Sequence, residues 1–219
     1  MYNFQKGTLL SEMLKTIAFF IYILFVASAS HVQAQNLEQD FRRATEAFAQ
    51  KNYIEAARGF RELSAQNDQN SQYNYALLLS KGVGTPRDVR EALYWAWRAR
   101  ANGVEKAVDL TAEIANALSN AELEELQNKL LDALMPEASK GFPIAISGVA
   151  KVYFYVKQAP DYEDAYTWAL VAQAFGQDDV QDLIDEAEKN LSLDLQLQSQ
   201  KNASDTFATI VQTQNIDKE

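Results

Sequence analysis

The chain has 219 residues, no cysteine, one histidine and a formal net charge of −10 at pH 7. Without cysteine it can form neither a disulfide bond nor a thiol nucleophile, and His31 lies in the leader segment, so no imidazole base or ordinary Cys/His zinc site is expected in the mature chain. The acidic balance argues against nucleic acids and anionic membrane surfaces as partners.

The first 34 residues have the three-part pattern of a secretory signal peptide. Lys15 precedes an apolar run over residues 17–29, and small residues follow up to Ala34, where we expect the cut. The run is about 13 residues long, whereas a transmembrane anchor, the alternative interpretation, needs roughly 18. Residues 1–34 are therefore expected to be removed, with Met13 as an alternative start. The mature chain would then be periplasmic or secreted, with no integral membrane segment.

Apolar residues recur at helical spacing through most of the remaining chain, and the predicted helices come in pairs. The first pair covers about residues 37–50 and 53–65. One face of its second helix carries small and aromatic residues at helical spacing: Tyr53, Ala56, Phe60 and Leu63. This face resembles the second helix of a tetratricopeptide repeat, in which small residues let the neighbouring helix approach.

Residues 71–103 carry the most specific pattern in the chain. It combines a Gly-Val-Gly turn with regularly spaced small and aromatic residues: Ala76, Leu77, Gly82, Val83, Gly84, Asp88, Ala92, Trp95, Ala99 and Gly103. These positions closely resemble one unit of the Sel-one-like repeat family, which is related to tetratricopeptide repeats. The resemblance implies an all-α fold, a right-handed α/α solenoid of about four helix-turn-helix repeats. It also implies a function in protein–protein contacts.

Each glycine of this unit has a predicted structural role. Gly82 should end the first helix with a positive φ, Gly84 should loosen the connection, and Gly103 should stop the second helix. Thr85 and Asp88 resemble a capping box at the start of that second helix. A phosphate-binding loop is the alternative for the Gly-Val-Gly turn, but no strand precedes it and no Gly-Lys-Ser/Thr motif follows.

The following segments predict further helix pairs. Residues 105–117 pair with a helix that Ser119 caps together with Glu122. Pro136 is expected to break or kink this second helix. Residues 144–156 then begin the next pair.

The chain repeats itself at an offset of 73 residues. Between Val83 and Asn128, 14 of 46 positions are identical to the residue 73 positions later. The second copy of the repeat positions comprises Ala165, Trp168, Ala172 and Gly176. A fixed period is the mark of stacked repeats, and this one spans two units of about 36 residues.

The second copy predicts a helix from about Asp161, without a preceding Gly-Val-Gly turn, a helix over 178–190 and another from Ser192. Leucines alternate like a strand at the start of this last helix, at positions Leu193, Leu195 and Leu197, but their repeat partners predict a helix. The repeat domain is expected to cover residues 35–205, and 206–219 to be a tail with at most a short turn.

One helix carries a candidate partner-binding surface. Trp95 matches the buried ring of the family, and a step of two residues rotates by about 200°, so Trp97 is predicted to face away. Tyrosine, tryptophan and arginine dominate interface hot spots. The basic-aromatic stripe and its flanks comprise Arg87, Arg90, Tyr94, Trp97 and Arg98. The alternative is that this stripe packs against a neighbouring helix.

Other candidate sites are weaker. Three consecutive rings at Tyr153–Tyr155 cannot share one helix face, so at least one should be exposed or line a groove unless all pack between repeats. Acidic pairs such as Glu124–Glu125 and Asp178–Asp179 are typical of solvated faces or helix N-termini rather than of glycosidase carboxylates. A calcium site would need an Asp-x-Asp-x-Asp loop, which is missing. No cofactor or metal is expected.

Taken together, these features predict an exported, periplasmic adaptor or regulator that binds an unidentified protein and has no catalysis of its own. The alternatives are a structural subunit of an envelope complex and, less favoured, a cell-wall-related hydrolase. One disulfide-rich branch of the family is linked to penicillin binding and hydrolysis, and the absence of cysteine removes the resemblance to that branch.

Overall fold

The structure, a computed structural model, describes residues 36–156 and 159–216, so the expected signal peptide lies outside the described residues. All regular structure in these ranges is helical, which confirms the all-α prediction. These ranges contain ten α-helices in succession, as expected for an array of helix-turn-helix repeats. The helices are α1 (36–49), α2 (Tyr53–Ala65), α3 (Gln69–Lys81), α4 (Val89–Ala101), α5 (Ala107–Ala115), α6 (Asn120–Ala138), α7 (Pro143–Lys151), α8 (Tyr162–Ala174), α9 (Gln181–Asn190) and α10 (Leu193–Ile216).

The helices stack in chain order. α2 packs on α3, α3 on α4 and α4 on α5, and the series continues from α6 through α9, with α10 on α8. Helix α4 also contacts α6 and α7, which joins the two halves of the array. Helices α4 and α8 begin and end 73 residues apart, and so do the starts of α6 and α10. The sequence period therefore corresponds to a structural one, as expected for a solenoid.

The repeated small residues are the points of closest helix packing. Those of α4 and α8 have no exposed surface: Ala92, Ala99, Ala165 and Ala172. Gly103 and Gly176 end their helices with φ of +88° and +80°, as predicted. In the first pair, a Cβ on Gly59 would lie 2.9 Å from the Cβ of Ala44, so α1 and α2 approach closely there.

The two glycines of the α3–α4 turn have different roles. Gly82 ends α3 with φ of +67°, and the following N–H of Val83 donates to the carbonyl of Leu78 at 3.0 Å, which confirms the predicted cap. Gly84 does not loosen the turn. Its φ is +73°, and a Cβ there would overlap the carbonyl oxygen of Tyr53 and lie 3.0 Å from the backbone nitrogen of Ile54. The α3–α4 turn therefore packs directly against the backbone at the start of α2.

The cap of α4 is Asp88, and the capping box predicted at Thr85 is wrong. The Asp88 Oδ1 accepts the N–H of Glu91 at 2.9 Å, and α4 starts at the next residue, Val89. The N–H of Asp88 donates to the carbonyl of Leu79 at 3.2 Å, so the preceding segment is tied to the end of α3 and cannot be helical. Asp161, the counterpart of Asp88, caps α8 in the same way.

Helix α6 starts as predicted and continues past Pro136 to end within residues 137–141, where its end was expected. The Ser119 N–H donates to Glu122 Oε2 at 2.9 Å, and the Glu122 N–H donates to the Ser119 hydroxyl, which completes the capping box. Pro136 does not break the helix, which continues to Ala138. Proline removes one backbone hydrogen bond near the helix end, and burial of Leu134 and Ala138 holds the last turn in place.

The turn that lacks Gly-Val-Gly is built from a π-helical extension of α7 over Val152–Val156. The side-chain amide of Gln127, on α6, donates to the carbonyl of Val156, the last residue of this extension. The N–H of Asp161 then donates to the carbonyl of Tyr153 at 3.0 Å, much as Asp88 donates to Leu79. The two turns therefore differ in backbone conformation, but in both the N–H of the N-cap aspartate donates to a carbonyl near the end of the preceding helix.

Residues 206–216 belong to α10, so the tail predicted from residue 206 is wrong over this range. Phe207 packs on Phe175 with ring centroids 5.2 Å apart, and Ile210 is buried. The Gln214 side-chain amide donates to the carbonyl of Lys140 at 3.0 Å. These residues continue an apolar face at helical spacing. The leucines at 193, 195 and 197 are helical, as predicted, and exposed.

Candidate partner-binding surface

The orientation predicted for the two tryptophans of α4 is wrong. Trp97 is 4% exposed, whereas Trp95 is half-buried, as is its counterpart Trp168. The Trp95 ring packs edge-on against Tyr75 of α3 at 6.1 Å between centroids, and its Nε1 donates to Glu91 Oε1 at 2.6 Å. Helix α4 contacts α3, α5, α6 and α7, so neighbours cover both faces and a rotation of about 200° does not bring a side chain to solvent.

The basic-aromatic stripe forms part of the packing interface between α4 and α6. Arg90 lies 3.2 Å from Glu122 and 2.9 Å from Glu125, both on α6. Tyr94 is buried, and the Lys129 ammonium of α6 lies 4.5 Å from the centroid of its ring. Packing against a neighbouring helix therefore describes the stripe, and its aromatic rings are not at a free surface.

The contacts of Glu122 in this α4–α6 interface should make the stability of the folded protein depend on pH in the acid range. Hydrogen bonds from Ser119 and Arg90 lower the pKa of Glu122. A carboxyl with a lowered pKa stabilises the fold above its unfolded pKa, about 4.3, and this contribution is lost as pH falls through the folded value. We expect Glu122→Gln to melt below wild type at neutral pH and the difference to vanish in acid. The control is Glu124→Gln. A difference in melting temperature that stays constant from neutral pH through the acid range would contradict this account.

The two arginines that flank the stripe have separate environments. Arg87 is exposed, and its Nε donates to the carbonyl of Ser80 at 3.1 Å, which ties down the α3–α4 turn. Arg98 points the other way, into a cleft of about 350 Å³ between the α2–α3 turn, α4 and the start of α7. Of the predicted partner-binding residues, Arg98 therefore lines a recess.

The cleft at Arg98 has one polar wall and one apolar wall. The polar wall carries the side-chain amides of Asn67, Gln69 and Asn102. The apolar wall carries Phe142 and Ile144, which are 55% and 69% exposed. Large apolar side chains with this much exposure in a cleft are typical of a surface that a ligand covers.

The Arg98 guanidinium has hydrogen bonds but no counter-charge. It donates to the Asn67 side-chain oxygen and to the Tyr94 hydroxyl, the latter at 3.3 Å. Its Nε is buried and has no partner among the described residues. Within the same ranges no carboxylate lies within salt-bridge distance of it, although Glu137 lines the cleft. A buried donor left unpaired costs about 1–3 kcal/mol.

A second recess, the α1/α3 groove, crosses the first two helix pairs. It consists of an apolar part of about 200 Å³ and a more polar part of about 580 Å³, which share Phe41 and Asn74. The apolar part also includes Phe48, which is 44% exposed. Gln69 lines both the polar part and the Arg98 cleft, so the two recesses adjoin.

Sequence reasoning missed the α1/α3 groove because apolar spacing was assigned to the core. In α1 the buried face is made by Ala44 and Ala47. Two further rings, Phe41 and Phe48, lie at i and i+7 beside that face, with Thr45 at i+4 between them. This pattern makes the apolar face of α1 wider than packing against a single neighbouring helix requires, and it could have indicated a second contact surface.

Tyr155 is the exposed ring of the Tyr153–Tyr155 cluster, which confirms that these rings cannot all be buried. The Arg100 guanidinium lies 4.9 Å from the centroid of the Tyr155 ring, a cation–π distance. Burial lowers the pKa of Arg100 and raises the pKa of Tyr155. The exposed ring therefore fixes the end of α4 against the π-helical turn.

A buried polar cluster on α7 also escaped the sequence analysis. The Lys151 ammonium lies 2.5 Å from Asp179 Oδ2, and the Ser147 hydroxyl donates to Asp179 Oδ1 at 3.0 Å. Ser147 and Lys151 are both buried, so this cluster ties α7 to the segment before α9. Asp179 is therefore a partner in an ion pair and not a freely solvated acid. Because 28 residues separate it from Lys151, local spacing gives no signal.

Neither a metal site nor a membrane span is found in the part of the chain that the structure describes. In residues 36–156 and 159–216, no three Asp, Glu, His or Cys side chains come together in a way that could hold a metal ion. Across the same residues, each helix is too short or too polar to cross a bilayer.

Comparison with known proteins gives a limited likeness. No protein-family model and no curated protein matches the chain. Among solved structures, the chain is similar to a protective antigen present in uropathogenic Escherichia coli strains, described as displaying an SLR fold. The two are 18% identical, the match covers 74% of this chain and 44% of the other, and the TM-score is 0.30. The chain thus spans less than half of that protein's length, and its assignment as an all-α repeat solenoid rests on its own helix pairs.

Proposed function

We propose that this chain is an exported, periplasmic adaptor or regulator that binds a partner protein through the α1/α3 groove and has no catalysis of its own. The observation that carries the proposal is the exposure of Phe48 at the rim of a groove lined by aromatic and amide side chains. Stacked repeats commonly present such extended surfaces to partners.

The chemistry of the groove favours a peptide segment. Its apolar part is lined mainly by rings and leucines, together with one hydroxyl and one amide and without any charged side chain: Phe41, Thr45, Phe48, Phe60, Asn74, Leu77 and Leu78. Asn70 and Asn74 carry both donors and acceptors, which suits the backbone of an extended chain. Charged side chains, Glu105 and Lys106, lie on the far wall. A groove with apolar side chains and neighbouring asparagine amides therefore suits a peptide segment that carries large apolar side chains.

Export is supported by the sequence of residues 1–34, which lie outside the described residues. The intact mass of the protein recovered from the periplasmic fraction tests it. A mass that starts at Gln35 is expected, and a mass that retains the apolar run would contradict export by cleavage.

Photo-crosslinking in cells tests the groove. A benzoylphenylalanine at position 48 replaces an exposed ring, and the same residue at position 54 replaces Ile54, which is 77% exposed and lies outside the groove. We expect a discrete adduct with one envelope protein from position 48 and none from position 54. Equal adducts from both positions, or none from position 48, would contradict the proposal. An adduct of the chain with itself would favour a structural subunit instead.

A further inference from the structure

Helix α10 carries an uncovered row of uncharged side chains, the α10 stripe. Its members recur at spacings of three and four residues, which places them on one face of the helix: Leu193, Leu197, Gln200, Ser204, Ala208 and Val211. Leu193 and Leu197 are 69% and 54% exposed, and of the other four only Val211 is partly buried. The last helix of a solenoid normally presents a polar outer face, so an open apolar row there indicates a surface that is covered.

The 73-residue period shows that the same face is covered one period earlier, on α6. The α6 counterparts of the last four stripe positions are Gln127, Leu131, Met135 and Ala138. Each of them is less exposed than its α10 counterpart. Helix α7 packs on α6, and Gln127 donates to the carbonyl of Val156 in the extension of α7. Within the described residues no helix follows α10, so the α10 stripe is the place where a further helix would stack.

The α10 stripe is complementary to itself when two copies run antiparallel. A pair of α10 helices centred near Asn202 brings together Leu193 with Val211, Leu197 with Ala208, and Gln200 with Ser204. Each leucine then meets a smaller side chain, which lets two helices pack without voids or overlap. A parallel pair would instead set each residue against its own copy, leucine on leucine and alanine on alanine.

The charges beside the α10 stripe favour the same arrangement. Lys201 and Asp205 are exposed on one flank of the stripe, and neither has an ion-pair partner among residues 36–156 and 159–216. In a twofold antiparallel pair the same flanks of the two helices meet, so Lys201 of each copy lies beside Asp205 of the other. A parallel pair would oppose like charges. Exposed ion pairs add little affinity, so these two set the orientation of the helices.

We propose that the α10 stripe is a dimer interface, on which α10 of a second copy of this chain packs antiparallel. The contact runs from Leu193 to Val211, about 27 Å along the helix. One pair of helices buries less surface than a permanent dimer does, so we expect a reversible equilibrium between monomer and dimer. The helices stack in chain order, so α10 and the α1/α3 groove lie at opposite ends of the array. The inference therefore goes beyond the proposed function and does not depend on it.

Sedimentation equilibrium of the purified protein over a range of concentrations tests the interface. We expect a dimer whose dissociation constant rises at least tenfold with Leu197→Glu, which places a charge in the α10 stripe. The matched control is Ile54→Glu, because Ile54 is 77% exposed on α2, outside the stripe, and this variant should leave the constant unchanged. Circular dichroism melts show whether both variants are folded.

Two charge variants test the antiparallel arrangement without disturbing a core, since both residues are exposed. Lys201→Glu brings carboxylates together across the interface and Asp205→Lys brings ammonium groups together, so each variant should dimerise more weakly than wild type. An equimolar mixture of the two variants should form a heterodimer more tightly than either variant dimerises alone, because every mixed contact then joins opposite charges.

Four results would overturn the inference. A protein that stays monomeric at the highest soluble concentration would show that a second copy does not cover the α10 stripe. A dimer that Leu197→Glu leaves unchanged would use another surface. A mixture of the charge variants that associates no more tightly than its components would contradict the antiparallel pair. Association that continues beyond the dimer would indicate a head-to-tail contact. None of these results bears on the α1/α3 groove, which crosslinking from position 48 tests separately.

Discussion

Gly84→Ala should destabilise the fold by about 3–5 kcal/mol, an effect at the upper end for one substitution. The new Cβ would overlap the carbonyl oxygen of Tyr53, and a backbone atom in the first turn of α2 cannot move aside as a side chain can. The positive φ of +73° adds strain to the same residue. The α3–α4 turn would have to lift off the first helix pair.

Gly103→Ala is the matched control for Gly84→Ala. Its φ of +88° is equally unfavourable for alanine, but no atom lies within 4 Å of the added Cβ. The expected loss is therefore the conformational strain alone, about 1–2 kcal/mol. Urea denaturation of both variants measures the difference. Equal losses would show that the turn is not seated on α2 as described.

Trp97→Ala should cost about 3–5 kcal/mol, as large aromatic truncations in a core do. The side chain is 4% exposed and belongs to the hydrophobic core, so its removal leaves a cavity there. Trp95→Ala should cost less, because Trp95 is half-buried and its main ring contacts are with Tyr75 and Tyr94.

Denaturant unfolding of the two tryptophan variants separates the observed orientation from the one that the sequence predicts. A larger loss for Trp95→Ala than for Trp97→Ala would contradict the structure. If Trp97→Ala were as stable as wild type, the result would instead support the sequence prediction that Trp97 is exposed on α4.

The features that the sequence predicted correctly are local ones. Helical spacing, the Ser119–Glu122 capping box and the positive φ of Gly82 depend on residues a few positions apart. The 73-residue period is also visible without coordinates, and the helices α4 and α8 reproduce it. These features determine where helices begin and end and in what order they stack.

The features that the sequence did not reveal depend on distant partners. Whether a face of α4 is free depends on α6, whose Glu122 pairs with Arg90 across 32 residues. The α1/α3 groove likewise needs the relative placement of two helices before Phe48 can be separated from core residues. Residues 206–216, which the sequence predicted as a tail, are part of α10, and Phe207 packs there against Phe175, which follows α8.

The candidate site was recovered from the sequence only in part. Arg98 was singled out as a flank of the stripe, but its cleft is built with Asn67, Phe142 and Ile144, which no spacing rule connects to it. Sequence patterns identified the cation, and the fold supplied the amides and the apolar wall.

The affinity of the partner identified by crosslinking tests the central claim most directly. Isothermal titration would compare wild type with Phe48→Gln and with Ile54→Gln, which removes an equally apolar exposed side chain outside the groove. We predict at least tenfold weaker binding for Phe48→Gln, about 1.4 kcal/mol, and unchanged binding for Ile54→Gln. Equal affinities for wild type and Phe48→Gln, with both proteins folded, would contradict binding through the α1/α3 groove.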